Sequence, residues 1–533
     1  RNMVLNELEA PPYSSGIWAQ GYADDIVIST TGRELLPASE LMQNALSKVE
    51  RWCKNVGLSV NPNKAETMLF TNKRLVSMCP LTLFKKPIPL KSKVKYLGVH
   101  IDNKLNRKNH IETKINKCTG LLLQCNRVTG VKWGVHPRYI FWIFNAIIKP
   151  IFLHGVIVWW KFSEPDDNQR YLSRLNRLAS SIMTNSFKTT PTAALEYLLD
   201  LPPIHLTIQM AALNTCYRLL VNKLWDMKFK DGHNSIIQTL ISISPEALMF
   251  PDSIPRCLSF GMTHVKFVIP DREQWIERQI QTDFDVNIFT DGSKTDLGTG
   301  AGVYINCPNN IPFIEDVRDY QILGKAATIF QAEITAIANA ITIVSHLTGL
   351  SITFYVDSQA AIHALKANLN VSNIVMNCKH TLSKLAQANN VTVIWVPGHT
   401  GIQGNEEADL LANTGSAHEF CGPEPALPIA KSVVKKSIRD WVTESKELYW
   451  RNIKYAKHTK AFIIEINLNF DIPLLSFERS LISNFLAVVT GHGSFKVHLQ
   501  KLKLAEETDC PKCGQDSDTA FHFLTTCRNC YTA

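Results

Sequence analysis

Four carboxylates and one histidine are the residues of this chain best suited to chemical work. Asp291 follows an apolar, strand-like run at 286–290 and precedes Gly292 and Ser293, and Asp357 ends a second such run at 352–356. Either aspartate alone reads as a turn residue or a helix cap. Glu333 resists that reading. On a helix, positions 333, 337, 340 and 344 share one face, and they are Glu, Ile, Ala and Val. A carboxylate in an apolar stripe is expensive to bury unless it is paired or holds a cation. Asp409 falls beside Ala408 on a later helical segment, after a loop containing Gly398, Gly401 and Gly404, and His399 sits in that loop just past the strand-like run 391–396. Hard divalent cations select oxygen ligands. Two of them about 4 Å apart can position a hydroxide and stabilise a leaving oxygen in phosphodiester hydrolysis.

Two further groups stand out. Cys510, Cys513, His522 and Cys527 give C-x2-C-x8-H-x4-C, while Cys510, Cys513, Cys527 and Cys530 give C-x2-C-x13-C-x2-C. Both spacings suit tetrahedral Zn²⁺, so the fourth ligand is His522 or Cys530. Asp24 and Asp25 are adjacent acids between two apolar runs at 17–30, at the tip of an expected hairpin. In isolation such a pair is a solvated turn.

The elements that must position these groups follow from periodicity. An amphipathic helix is expected at 39–56, a strand at 95–101, and mostly helix across 106–230. The apolar stretch 139–160 has Lys149, Pro150 and His154 at its centre. It reads as a buried helix broken at Pro150 rather than a membrane span, because a charge at a bilayer centre costs about 2.5–3.5 kcal/mol. Pro245, Pro251, Pro255 and Pro270 mark a linker at 241–282. Strands are then expected at 284–290, 301–306, 313–323, 351–357 and 391–396, with helices at 328–348, 358–366, 372–388 and 404–415. This is an α/β domain at 283–418. Helix resumes at 431–505, and the cysteine cluster closes the chain at 508–531.

Length and composition bound the answer. At about 150 residues per domain, 533 residues make three or four folded units. With 45% hydrophobic and 19% charged residues the chain is globular, which excludes disordered, collagen-like and coiled-coil proteins. The net charge of +9 is uneven: residues 48–161 hold 21 Lys and Arg against four acids, a net +17, leaving −8 for the rest. A basic block in an otherwise acidic chain is the electrostatic footprint of nucleic-acid binding. Nine of the 13 cysteines are scattered and four crowd the end. That distribution suits reduced intracellular thiols, in nucleus or cytoplasm and not secreted, plus one metal cluster.

The stretches FTDGSK (289–294), QAE (331–333), FYVDSQAAI (354–362) and WVPGHTGIQGNEEADLLA (395–412) resemble type 1 ribonuclease H. The resemblance covers about 283–418. It implies that Asp291, Glu333, Asp357 and Asp409 hold two Mg²⁺ ions, with His399 assisting product release or proton movement on an RNA–DNA hybrid. Cellular members often carry Asn or Gln three and four residues before the helix glutamate, where this chain has Phe330 and Ile329. GYADDIVI (21–28), GLSVNPNKAETMLF (57–70) and KYLGVHID (95–102) resemble a reverse-transcriptase palm at 1–105, and KPIFLHGVIVW (149–159) the thumb of non-LTR, especially jockey-like, retrotransposon polymerases, within a helical region at 106–240. By that resemblance Asp24 binds catalytic metal, Asp25 supports it and Lys64 lies near the nucleotide. The family's other palm aspartate would precede Arg1, so the chain is expected to be the back half of a polymerase, a piece of a longer reading frame unable to extend a primer. Similar cysteine clusters close many such polyproteins, which favours Cys510, Cys513, His522 and Cys527 as a zinc knuckle.

The expectation is therefore α/β: a ribonuclease H-like mixed sheet with flanking helices, preceded by a partial palm and helical thumb and followed by a small zinc knuckle. Its partners are an RNA–DNA hybrid and retrotransposon RNA and cDNA, with no membrane. DNA transposases and integrases share the sheet but typically lack the Glu333 helix position and the GHTGIQGN loop. A remnant that only binds nucleic acid would show an altered carboxylate, and all four are intact.

Overall fold

The computed structural model of the chain describes residues 16–71, 78–130, 133–225, 234–254, 257–258, 262, 264–276, 284–308, 316–466 and 474–530. The chain folds as two compact units, residues 200–455 and residues 1–199 with 456–533.

The 200–455 unit is built on a six-stranded sheet. Its strands are β1 (Val265–Val268), β2 (Val286–Lys294), β3 (Thr299–Asn306), β4 (Val317–Gly324), β5 (Ser351–Val356) and β6 (Asn390–Trp395), in spatial order β4–β3–β2–β5–β6–β1. The pairs β4–β3 and β3–β2 are antiparallel, whereas β2–β5, β5–β6 and β6–β1 are parallel. The parallel centre explains the unbroken apolar runs, because helices and aromatics cover both faces there. Along β5 the side chains alternate between two cores. Phe354 joins Val286, Ile288 and Val393 on one face, and Tyr355 joins Ile394 and Val396 on the other.

Helix α1 (Ile329–Ile343) lies on the first face and starts at a capping box, in which Thr328 and Gln331 satisfy each other's main-chain donors. Its Ile334, Ile337 and Ile341 are buried in that core. Helix α2 (Gln403–Ala417) packs along β3 and β2. It reaches the sheet through Gly302, where a Cβ would lie 2.3 Å from the Ala408 carbonyl. Helices Ile204–Val221, Asn234–Ile243 and Lys431–Asn452 pack on one another in the same unit.

The stretch expected as a linker, 241–282, holds β1 and a short helix at Arg272–Ile276. Asp252 caps the helix Asn373–Ala388, accepting from the Asn373 and Ile374 amides at 2.8 and 3.1 Å. The proline spacing hides this, because pairing to a distant strand leaves no local periodicity.

In the other unit, the apolar runs at the start form a hairpin, Ile17–Tyr22 against Asp25–Thr30. The following helix begins at Leu35, four residues before the expected Ser39. The single strand expected at 95–101 is instead a second hairpin, Lys93–Tyr96 with Val99–Asp102. Leu97 and Gly98 both have positive φ (45° and 79°), the geometry of a tight two-residue turn. The helix at 137–153 is not broken at Pro150. A π-helical turn at Phe144–Ile148 precedes the proline, and a wide turn accommodates the missing amide. The chain bends by 56° at His154–Gly155 instead, with Gly155 at φ 67°. Ile140, Phe144, Ile148, Phe152 and Val156 are buried at four-residue spacing. Among the described residues no single helix is long and apolar enough to cross a membrane. Helices Lys457–Ile466 and Arg479–Thr490 return to this unit, where Phe462, Ile482 and Leu486 pack with Leu195 and Leu198.

Candidate active site

Strand and helix ends of the mixed sheet bring acidic groups to one place. Asp291 lies within β2, Glu333 in the first turns of α1, and Asp357 directly after β5. One oxygen from each lies within 4.8 Å of the others. Asp291 and Glu333 are only 6% and 5% exposed. The close approach of α1 to β2 depends on Gly292, where a Cβ would meet the Glu333 amide at 2.7 Å. The three line a cleft of about 270 Å³ together with Asp409, His399 and Asn405.

The electrostatics follow from that crowding. Burial, and then the charge of Asp357, pushes Asp291 up to about 7. Burial raises Glu333 well above the usual carboxylate range, with Asp357 and Asp291 adding to the effect. Asp357 is raised chiefly by burial, with Asp409 adding repulsion. Glu333 Oε2 and Asp357 Oδ1 are buried with no hydrogen-bond partner. Buried oxygens of this kind call for a cation or a proton.

Hydrogen bonds hold the acids from behind. The Gly292 amide donates to Asp291 Oδ1 at 2.8 Å, and Asn413 Nδ2 donates to Asp409 Oδ1 at 3.0 Å. Ser293 Oγ donates in turn to Asn413. His399 is exposed on the loop after β6, with φ 55° in the left-handed region. Asn405, Asn413 and Ser293 are absent from a reading of charged residues alone. Asn405 is 4% exposed and its Oδ1 has no partner. Its position four residues before Asp409, on the same helix face, was the available signal.

The cysteine cluster also converges. Ligand atoms of Cys510, Cys513, His522 and Cys527 lie within 4.8 Å of one another. Cys510 Sγ is 3.8 Å from Cys527 Sγ, and Cys513 Sγ is 3.2 Å from His522 Nε2. His522 Nδ1 lies 2.8 Å from Thr526 Oγ1, an outer contact that fixes the ring and leaves Nε2 facing the sulfurs. Main-chain amides at Gln515 and Asp516 bring the Cys513 thiol down to about 7, favouring the thiolate that a metal binds. The side chain of Cys530 lies outside the described residues.

Asp24 and Asp25 are different. Both are exposed, at the tip of a two-stranded sheet, and no third metal-ligating residue joins them among the described residues. Lys64 is exposed, at the end of a 3₁₀ turn, Pro62–Lys64.

Comparison with known proteins agrees with this layout. Residues 283–417 match the family model of RNase H, and residues 2–101 match that of reverse transcriptase (RNA-dependent DNA polymerase). A 115 kDa protein of the type-1 retrotransposable element R1DM of Drosophila melanogaster is 28% identical over 193 residues, 36% of this chain and 19% of that protein. The Pol polyprotein of the type-1 retrotransposable element R1 of Bradysia coprophila is 26% identical over 199 residues, 37% of this chain and 20% of that protein. The RNA-directed DNA polymerase of the mobile element jockey of Drosophila melanogaster is 26% identical over 145 residues, 26% of this chain and 15% of that protein. The aligned part thus spans at most about a fifth of these curated relatives. The crystal structure of RNase H1 from Halobacterium salinarum is 22% identical, covering 24% of this chain and 96% of that one, with a TM-score of 0.20.

Proposed function

We propose that the chain, with its ribonuclease H domain and reverse-transcriptase region, belongs to a non-LTR retrotransposon polyprotein and cleaves the RNA strand of RNA–DNA hybrids in a Mg²⁺-dependent hydrolysis. The observation that carries this reading is the convergence of buried Asp291 and Glu333 with half-buried Asp357, ligand oxygens within 4.8 Å, two oxygens of the set being unpartnered. An all-oxygen set of this kind fits a hard cation. Asp291, Glu333, Asp357 and Asp409 would hold two Mg²⁺ ions, which supply an activated water and charge stabilisation at the leaving oxygen. The protein's own contribution is to hold the acids before the cations arrive. Gly292 fixes Asp291 and Asn413 fixes Asp409. His399, exposed at the cleft mouth, moves a proton or speeds product departure.

The other groups serve the same substrate. Cys510, Cys513, His522 and Cys527 hold one Zn²⁺, whose knuckle grips single-stranded retrotransposon RNA or cDNA. The basic block at 48–161 supplies phosphate contacts, and Asp24 with Asp25 belongs to the polymerase centre.

The test uses the full chain, Mg²⁺ and a hybrid labelled on each strand. Nicks should appear in RNA only, and Asp291→Asn should abolish them while circular dichroism stays unchanged. Cleavage by that variant at the wild-type rate would remove the metal assignment.

A further inference from the structure

The carboxylate centre is braced by residues from outside the 283–418 domain. Described residues between Pro251 and Ile276 pair with three other segments of the unit, and one of these pairings extends the six-stranded sheet. Pro251 bridges Ile429, Cys257–Leu258 pairs with Leu369–Asn370, and β1 adds a parallel strand along β6 from Val391↔Val265 to Ile394↔Val268. At the end of this strap Trp275 lies over the aromatic face of the sheet, its ring 6.2 Å from Tyr355 at 67°. Tyr355 stacks on Phe289 at 4.5 Å. Phe289 is two residues before Asp291, and Tyr355 two residues before Asp357.

Hydrogen bonds complete the connection. Trp275 Nε1 donates to the Trp395 carbonyl at 3.0 Å, and Trp395 Nε1 donates to the Asp357 carbonyl at 3.0 Å. The Val396 amide donates to the Val356 carbonyl at 3.0 Å, so the chain on both sides of this link is tied to the end of β5. Asp357 has no strand residue after it to hold its own peptide. The Asp357 carbonyl accepts from the Trp395 indole, and the Trp395 carbonyl in turn from the Trp275 indole.

We infer that Trp275 is a positioning residue for the carboxylate centre: its indole N–H fixes the Trp395 main chain, whose own indole fixes Asp357. The inference rests on the ribonuclease H reading and adds a requirement to it, that the strap at 251–276 is part of the working enzyme. Partners one shell beyond metal ligands orient those ligands, and their loss costs roughly 10–100-fold in metal affinity.

The test is Trp275→Phe in the full chain, which keeps an aromatic ring against Tyr355 while removing the donor and the second ring of the indole. Mg²⁺ titration calorimetry should show affinity weaker by about 10-fold, the low end of that range. In cation-free protein, amide exchange around Asp357 and Val396 should quicken while the melting temperature stays near wild type. Trp395→Phe should weaken Mg²⁺ binding at least as much, and the double variant should fall no further than Trp395→Phe alone, because the two donors act in series. Wild-type Mg²⁺ affinity in Trp275→Phe, or additive losses in the double variant, would reduce Trp275 to packing. A wild-type chain that binds no Mg²⁺ overturns the ribonuclease H reading itself, and this inference with it.

Discussion

Asp24 and Asp25 are neighbours in sequence, and Asp291, Glu333 and Asp357 are far apart, yet only the distant set comes together. Asp24 sits in the two-residue turn and Asp25 opens the second strand, so the pair projects from a hairpin tip, where no third acid joins it among the described residues. Both hairpin acids are exposed. The middle of β2, the end of β5 and the first turns of α1 place three carboxylates within 4.8 Å, under enough cover to leave oxygens of Glu333 and Asp357 unpartnered. A solvated pair of acids costs nothing to keep ionised. A crowded trio, two of its acids buried and the third half-buried, is stable only with protons or cations, and that instability is what a metal site uses.

Neutralising one acid in each place gives the sharpest contrast. Asp291→Asn should cut hybrid cleavage by more than the roughly 100-fold that an outer-shell loss costs, whereas Asp24→Asn should leave cleavage at wild type. The melting temperature of cation-free protein should rise in Asp291→Asn at about pH 8, because like charges no longer face each other. A cleavage defect in Asp24→Asn would erase the distinction.

The cysteine–histidine cluster extends the comparison to softer ligands. Metal analysis should find one Zn²⁺ per chain, lost in Cys527→Ser and kept in Cys530→Ser. The opposite pattern would move the fourth ligand to Cys530.

Proton release is a subtler test of the converging trio. Burial and mutual repulsion hold Asp291 protonated up to about 7 in the absence of cation, so a cation must displace protons below that pH. Affinity should therefore climb as pH rises through about 7, changing by about 10-fold per pH unit for each proton displaced. The sign for stability is opposite. The folded pKa lies above the unfolded value, so cation-free protein loses stability as pH rises from the ordinary carboxylate range to about 7. Mg²⁺ titrations in two buffers of different ionisation enthalpy would count the protons, and a pH-independent affinity would show that the acids are already ionised.

Much of this centre was legible in the sequence because its signals are local contradictions. Glu333 stands in a stripe with Ile337, Ala340 and Val344, and a polar residue among apolar ones shows in one helix period. What was not legible depends on distant pairing. The four-residue β1 (VKFV) looks like any short apolar run until β6 lies beside it. Pro150 suggested a break because the π turn before it has no periodicity of its own, and Leu97–Gly98 was read through as strand because leucine rarely takes positive φ. Asn405 carries no charge to mark it in the sequence, although it lines the cleft and its buried Oδ1 has no partner.

Glu196 separates burial from convergence. It is 3% exposed in the helix Thr192–Leu198, accepts from Asn176 Nδ2 at 2.8 Å, and has no acidic partner among the causes that raise it. Burial alone pushes it from 4.5 up to about 7. Because the folded value is the higher one, the fold is most stable where Glu196 is protonated and loses stability as pH rises from about 4.5 to 7, with the full penalty present above that range. Glu196→Gln keeps an acceptor for Asn176 and removes the charge. Each pKa unit is worth about 1.4 kcal/mol, so a gain of about 1–3 kcal/mol is expected at about pH 8 and almost none at about pH 5. Thermal melts at the two pH values would measure it, and hybrid cleavage should not change. If Glu196→Gln instead lost stability at the higher pH, or lost cleavage, the buried charge would have a partner or a task, and solitary burial would no longer distinguish a structural acid from a catalytic one.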